Sequence, residues 1–119
     1  MTRASDEFVL FDLRVIVESV GEHCTCAVKV GDYFEIQSGK ISLPPGQLFC
    51  LYALQSALPL LPAKQRPLQS ADWMTTDTRV TCPDPACKMI MRIERGTRRV
   101  LRLDETSAVK ISARKRASK

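Results

Sequence analysis

Four cysteines in two pairs carry the chemistry that this sequence suggests first. Cys24 and Cys26 lie two positions apart, while Cys82 and Cys87 bound the segment Cys-Pro-Asp-Pro-Ala-Cys. Four thiolates at tetrahedral angles are a common ligand set for structural zinc, and iron–sulfur clusters are also held by four thiolates. The four residues therefore predict a metal site whose occupant is zinc or an iron–sulfur cluster.

The spacing within the pairs leaves other interpretations open. The usual zinc knuckle is C-x2-C, whereas these pairs are C-x-C and C-x4-C. Pro83 and Pro85 also restrict how Cys87 can fold back toward Cys82. Loop cysteines without a ligand are the plainer interpretation, and a redox pair formed by Cys82 and Cys87 is a third.

The cysteines also raise the hypothesis of a small cysteine-dependent or redox enzyme. His23 precedes Cys24, and a neighbouring imidazolium lowers the pKa of a thiol, which would make Cys24 a nucleophile. Cys82 is the other candidate. His23 is the only histidine, and the chain has no G-x-S-x-G elbow, Walker loop or G-x-G-x-x-G segment. Whether the protein is an enzyme therefore stays open.

Asp84 is the candidate polar residue beside these cysteines. It lies between two prolines, which have no amide to donate, so we expect its carboxylate to cap the turn through later amides. In the alternative hypothesis it lines a pocket with Tyr52, Arg66 and Trp73 and positions a substrate. Cys50 falls among the leucines of a predicted helix, and we expect it to be a buried structural thiol.

Strands and turns must position these residues. Residues 8–18 form a predicted strand, because Phe11, Leu13, Val15 and Val17 fall on one face. Further short strands are predicted at residues 33–36, 41–43 and 78–82, with residues 88–95 as the hairpin partner of 78–82. A turn at Gly96 and Thr97 would then lead to an edge strand over residues 98–103.

One helix is predicted between residues 48 and 61. Apolar side chains recur there at steps of three and four positions and would bury one wide face: Leu48, Leu51, Tyr52, Leu54, Leu58 and Leu61. Pro59 and Pro62 are expected to end it, since proline lacks an amide donor. The predicted fold is α+β, a small antiparallel sheet with one principal helix packed on it.

Composition indicates a single domain without a membrane span. The chain has 119 residues, 45% of them hydrophobic and 26% charged, values ordinary for a globular domain. No segment resembles a signal peptide or a membrane helix, so we expect a cytoplasmic protein whose thiols stay reduced.

The basic charge of the chain comes from its last fifth. Residues 1–95 contain ten Lys and Arg against eleven Asp and Glu, whereas residues 96–119 contain eight against two. We expect residues 1–103 to form the domain and residues 104–119 to form a basic, disordered tail. Nucleic acid is an expected partner only through this tail, by electrostatic attraction.

Several ordered segments resemble a family of small uncharacterised prokaryotic proteins. They are VGDYFEI, ISLPPGQLFCLYALQSALPLLPAKQR, DWMTTDTRVTCPDP and MRIER, which together span about residues 13–95. The family pattern C-P-x-G-H-K-x-G-D is matched at Cys24, Lys29, Gly31 and Asp32, whereas Ala27 and Val28 replace its glycine and histidine. The resemblance implies a compact single domain with no assigned reaction, and it supports Cys24, Cys50, Cys82 and Asp84 as candidate site residues.

These observations favour a non-catalytic function. The chain lacks a complete acid–base or phosphate-binding constellation. We therefore expect a small accessory or subunit-type protein of a larger metabolic or redox enzyme, with a thiolate-bound metal as a further hypothesis. The two alternatives are the cysteine-dependent enzyme and nucleic-acid binding through the tail. Substrate, partner identity and oligomeric state are not indicated.

Overall fold

A computed structural model describes residues 6–22 and 28–109. These residues form one five-stranded antiparallel sheet with the strand order β3-β2-β1-β5-β4, and one main helical segment packs on it. The predicted α+β class is therefore confirmed. The elements are β1 (Glu7–Ser19), β2 (Tyr33–Gln37), β3 (Lys40–Ser42), α1 (Leu51–Ala57), α2 (Leu61–Lys64), β4 (Arg79–Thr81), β5 (Ile90–Arg102) and α3 (Leu103–Thr106), with 3₁₀ turns at Leu58–Leu60 and Trp73–Thr75.

The two long strands β1 and β5 form the centre of the sheet. They pair along almost their whole length, from Glu7 opposite Arg102 to Ser19 opposite Ile90. Leu13, Val15 and Val17 of β1 are buried beneath the helical segment, as their alternation predicts. The predicted first strand is therefore confirmed, as is its core face at these three residues, whereas Phe11 is only half-buried.

A bulge in β5 replaces the turn predicted at Gly96 and Thr97. Phe11 pairs with Arg98 and Leu13 pairs with Arg95, so two residues of β5 lie opposite Asp12 alone. Such a bulge bends a strand without ending it. The predicted separate edge strand at residues 98–103 is therefore wrong, because residues 98–102 continue β5 and pair with the central strand β1, and Leu103 begins α3.

The helical segment begins later and ends later than predicted. α1 starts at Leu51, and the two prolines open the next elements: Pro59 lies in the first turn of the 3₁₀ segment and Pro62 in the first turn of α2. Proline is tolerated at these positions because the first amides of a helix have no intrahelical acceptor. The prediction that Pro59 and Pro62 end the helix is therefore wrong.

The buried face of this segment is formed mainly by small residues together with Leu61, and most of the predicted leucines lie outside it. Ala53 and Ala57 are fully buried and lie with Cys50 and Leu61 against the sheet. Leu54 packs partly against this core, whereas the predicted core residues Leu48, Leu51, Tyr52 and Leu58 are exposed. The wide buried leucine face is thus a wrong prediction. The alanines allow the helix backbone to approach the sheet closely.

The predicted tail begins as ordered structure. Residues 103–106 form α3, and the Leu103 amide donates to the Asp6 carbonyl oxygen over 2.8 Å. The Arg102 guanidinium also forms an ion pair with Asp6, at 2.9 Å. The structure therefore differs from the expectation of disorder at residues 104–106, and residues 110–119 lie outside the described part of the chain.

Candidate functional site

Three of the five cysteines lie in the hydrophobic core. Cys50 precedes α1, while Cys82 and Cys87 belong to the connection between β4 and β5, and all three are buried in the same apolar cluster. The burial predicted for Cys50 is therefore confirmed. Cys24 and Cys26 lie outside the described residues, as does His23. The nucleophile hypothesis at Cys24 accordingly stays a prediction.

The turn between Cys82 and Cys87 is organised by Asp84. Its carboxylate accepts a hydrogen bond from the Ala86 amide over 3.0 Å, and its carbonyl oxygen accepts one from the Cys87 amide over 3.1 Å. At the base of the turn the Cys82 amide donates to the Met89 carbonyl oxygen over 3.1 Å. Asp84 therefore caps the turn as predicted. The two cysteines at the ends of this turn are both buried in the core.

The chain after β1 is held against this turn at Gly21. The Gly21 amide donates to the Cys87 carbonyl oxygen over 2.9 Å. A Cβ atom at position 21 would lie 2.4 Å from that oxygen, so no other residue type fits without movement of the backbone. Glu22 follows directly, and Val28 returns to the same apolar cluster. Gly21 is thus tied to the Cys87 backbone, and Val28 lies in the core cluster that also contains Cys82 and Cys87.

The described residues alone do not form a metal centre. No group of three or more His, Cys, Asp or Glu side chains able to hold an ion occurs within residues 6–22 and 28–109. Cys82 and Cys87 supply only two of the four predicted thiolate ligands. The predicted metal site depends on Cys24 and Cys26 and stays a prediction.

The second predicted group, Asp84 with Tyr52, Arg66 and Trp73, is not brought together by direct contacts. The Arg66 guanidinium donates to the Pro62 carbonyl oxygen over 2.7 Å and so caps the end of α2. Tyr52 and Trp73 are both exposed. Across the described ranges, no hydrogen bond, ion pair or ring contact joins any two of these four residues. The structure does not support a substrate pocket built from them.

Sequence reasoning missed the buried polar residues at the end of α2. The Lys64 ammonium donates to the Met74 and Asp77 carbonyl oxygens, and the Gln65 side chain donates to the Ser38 carbonyl oxygen over 2.9 Å. Burial lowers the pKa of Lys64 below its usual value, with the Arg95 guanidinium acting in the same direction and Asp77 against it. These two side chains join α2 to the β2–β3 turn and to the loop before β4.

Arg95 completes this junction from the sheet. Its Nε donates to the Lys64 carbonyl oxygen over 2.9 Å and its Nη2 to the Arg66 carbonyl oxygen over 2.6 Å. The guanidinium also lies 4.5 Å from the centre of the Phe11 ring, a cation–π contact. Arg95 thereby satisfies the carbonyl groups at the end of α2, which have no intrahelical partners.

The outer side of the helical segment forms an uncharged surface. Leu48, Leu51 and Tyr52 are 84%, 68% and 62% exposed, and Leu58, about two turns after Leu51, is exposed as well. Residues 41–63 contain no Asp, Glu, Lys, Arg or His. We call Leu48, Leu51, Tyr52 and Leu58 the helical apolar surface. The absence of charged residues is evident from the sequence, but the spacing of the leucines predicts a face buried in the core.

An open apolar groove lies beside this surface. It has a volume of about 330 Å³ and separates the helical segment from the β2–β3 hairpin. Ile36 and Ile41 line it from the hairpin, and Leu54, Leu58 and Leu61 line it from the helices. Leu58 belongs to both features, so the groove and the helical apolar surface are continuous.

The opposite face of the sheet has a different character. Ion pairs join strands across it: Arg14 of β1 pairs with Glu35 of the neighbouring strand β2, and Arg79 of β4 reaches past β5 to Glu18 of β1, both at 2.8 Å. Salt bridges of this exposed kind contribute little to stability, but they leave a strongly hydrated surface. The two faces of the described protein therefore differ sharply, one charged and one apolar.

Comparisons with known proteins add no family to this description. Within the described residues, no helix has the length and apolar character needed to cross a membrane. The chain matches no protein-family model, no curated protein and no solved structure. The resemblance to small prokaryotic proteins stays a prediction.

Proposed function

We propose that this protein is a small cytoplasmic accessory protein that docks on a larger partner protein through its helical apolar surface. The observation that carries the proposal is the exposure of Leu48, Leu51 and Tyr52 on a segment without charges. An apolar patch of this kind is unfavourable in water and marks an interaction site when it is contiguous.

The composition of the surface fits a protein partner. Protein interfaces have centres depleted of charge and enriched in aromatic residues, and Tyr52 lies among leucines here. Exposed charges begin only at the ends of the segment, at Lys40 and Arg66. A partner surface of complementary character would be apolar at its centre and polar around its rim.

The thiolate metal site is the second part of the proposal. Cys82 and Cys87 are buried in one cluster, and Gly21, three positions before Cys24 in the sequence, contacts the Cys87 backbone. These facts support a site that uses all four cysteines, in which the metal would stabilise the loops. The burial of Cys82 and Cys87 favours this hypothesis over a catalytic thiol, which needs an accessible thiolate.

Site-specific photo-crosslinking in the native host tests the docking surface. A photoreactive amino acid at Leu51 is expected to give one adduct heavier than two copies of the 13.3 kDa chain. The matched control carries the same amino acid at Arg14, which is exposed on the charged face. The proposal fails if Leu51 gives no adduct, only an adduct of two copies, or the same adducts as Arg14.

Elemental analysis tests the metal separately. Protein purified without air or chelator is expected to contain about one zinc per chain, or iron with a visible absorption band. Replacing Cys82 or Cys24 with Ser should remove the metal, whereas replacing Cys50 with Ser should not. Metal-free protein, or metal retained by all three variants, would contradict the four-cysteine site.

A further inference from the structure

The sheet ends at β3, a three-residue strand whose outer edge faces solvent. β3 pairs with β2 through Gln37 opposite Lys40 and Glu35 opposite Ser42. Beyond β3, the Gln47 side chain accepts from the Tyr33 amide over 3.3 Å and donates to the Tyr33 carbonyl oxygen over 2.7 Å. The odd-numbered residues of β2 thus direct their backbone groups toward β3, and all of these groups have partners.

The alternation of an antiparallel ladder fixes which groups of β3 point outward. The backbone amides and carbonyls of Lys40 and Ser42 point toward β2. Those of Ile41 and Leu43 therefore point away from it. No backbone hydrogen bond from Ile41 or Leu43 to another loop or helix occurs within the described residues. Four strong hydrogen-bonding groups are therefore presented in a row at this edge.

The opposite edge of the sheet is protected. On β4 the Thr81 carbonyl oxygen already accepts a hydrogen bond from the Ser56 hydroxyl of α1, over 2.9 Å. Natural proteins commonly protect edge strands by covering them or by placing charges on them. β3 has no such cover, and its only charged residue is Lys40 at one end.

We propose that β3 pairs with β3 of a second copy of this chain, antiparallel, to form a continuous ten-stranded sheet. With Ser42 on the twofold axis, Ile41 lies opposite Leu43 of the second copy, and Leu43 lies opposite Ile41. All outward groups of these residues then form hydrogen bonds between the copies. Lys40 falls opposite Pro44, so no like charges meet directly.

The side chains at this edge support a second copy as the occupant. Ile41 lies opposite the buried Ile36 and lines the groove, so its side chain lies on the helical face of the sheet. Leu43 follows two positions later on the same face, and both side chains are exposed. Pairing would bring the two isoleucines and two leucines together beside the two grooves, in each of which Lys40 is the one charged residue among the described lining residues.

The short strand predicts a weak, concentration-dependent dimer. Light scattering on the full chain, between about 1 μM and about 1 mM, should show the mass rising from 13.3 kDa toward twice that value. Ile41→Glu should keep the protein monomeric, because a dimer of this variant would bury two glutamate side chains, one from each copy, near the twofold axis. Val100→Glu is the matched control, since Ile41 and Val100 are both β-branched strand residues with 45% exposure.

Disulfide trapping gives a readout that does not depend on that variant. Residues opposite each other in a non-hydrogen-bonded antiparallel pair have Cα atoms about 4.5 Å apart, within the range that a disulfide spans. Ser42→Cys should therefore crosslink two copies much faster than Thr81→Cys, which ends the other three-residue edge strand. The unsubstituted chain gives the background from its own cysteines.

Either experiment can overturn the proposal. A chain that stays monomeric at about 1 mM, a dimer that survives Ile41→Glu, or equal crosslinking at positions 42 and 81 would each contradict it. The proposal does not rest on the proposed function, since it uses none of Leu48, Leu51 and Tyr52. The docking surface can fail while the dimer stands, and the reverse also holds.

Discussion

The amide of Gly21 lies 2.9 Å from the carbonyl oxygen of Cys87, and this contact joins the chain after β1 to the turn before β5. Gly21 has an ordinary backbone conformation, so the requirement for glycine here is steric. The Cys87 backbone occupies the space that any side chain at position 21 would need. One hydrogen bond therefore holds the chain after β1 against the turn that carries Cys87.

Gly21→Ala should destabilise the protein. The added methyl group would overlap the Cys87 carbonyl, and overpacking of this kind reduces the free energy of unfolding by about 1 to 3 kcal/mol. Urea unfolding of the two proteins measures the difference. Gly39→Ala is the control, because nothing lies within 4 Å of a Cβ there and φ is not positive. Equal midpoints for both variants would refute the steric argument.

The inverted burial of the helical segment can be tested with a pair of substitutions. Leu51→Gln should change the free energy of unfolding by less than about 0.5 kcal/mol, because Leu51 is exposed. Ala53→Leu should lower it by about 1 to 3 kcal/mol, because Ala53 is fully buried in the core and a larger side chain there would overpack it. Thermal unfolding monitored by circular dichroism checks both. The reverse order would mean that the leucines form the core after all.

Lys64 should contribute a recognisable pH dependence. Its folded-state pKa is lowered from 10.5, chiefly by burial. Between the lowered value and 10.5 the unfolded chain binds more protons than the folded one, so this group makes the protein more stable as pH rises through that window. The unfolding free energy of the unsubstituted chain minus that of Lys64→Met should therefore increase as the pH is raised through this window. Measurements by urea unfolding at several alkaline pH values check this.

The same variant should be less stable at neutral pH. Methionine cannot donate to the Met74 and Asp77 carbonyl oxygens, and losing hydrogen bonds from a charged donor costs about 1 to 3 kcal/mol. Lys29→Met serves as the control because Lys29 is exposed. A neutral effect of Lys64→Met at pH 7, or the opposite trend with pH, would argue against the junction described here.

Arg95 and Phe11 should be energetically coupled. Arg95→Lys retains a charge but loses the two-pronged donation to the Lys64 and Arg66 carbonyl oxygens, so it should lower stability by about 1 to 3 kcal/mol. A double-mutant cycle with Phe11→Leu should give a coupling of about 0.5 to 1 kcal/mol for the cation–π contact. Strict additivity of the two substitutions would mean that the contact is energetically silent.

The strands were predictable because a period of two is an unambiguous signal. Phe11, Leu13, Val15 and Val17 share the inward face of β1, and the register of β1 with β5 keeps them there. The hairpin of β4 and β5 also followed from its sequence, with the Asp84 turn between the two strands. The bulge opposite Asp12 left no comparable signal, since a glycine suggests a turn and a bulge equally.

The helical face was mispredicted for a physical reason. Hydrophobicity ranks leucine above alanine, but the space between helix and sheet is already filled by large side chains such as Phe34, Met89 and Met91. Only small residues then fit on the helix side, and Ala53 and Ala57 occupy it. The contacts of Lys64 and Arg95 at the end of α2 are not predictable from the sequence, because charged residues normally indicate a solvent-exposed position. The site chemistry of Cys24 and Cys26 remains a prediction from sequence alone.

The pairing of β1 with β5 also decides when the domain can be completed during synthesis. β1 leaves the ribosome before the other four described strands, yet its long partner begins at Ile90 and ends at Arg102. Until β5 has emerged, the nascent chain holds a central strand with one side unpaired and a core that lacks Met91 and Ile93. Such sequence-distant pairing slows folding and prolongs exposure of aggregation-prone edges. Chaperone protection of the growing chain would matter most in this interval.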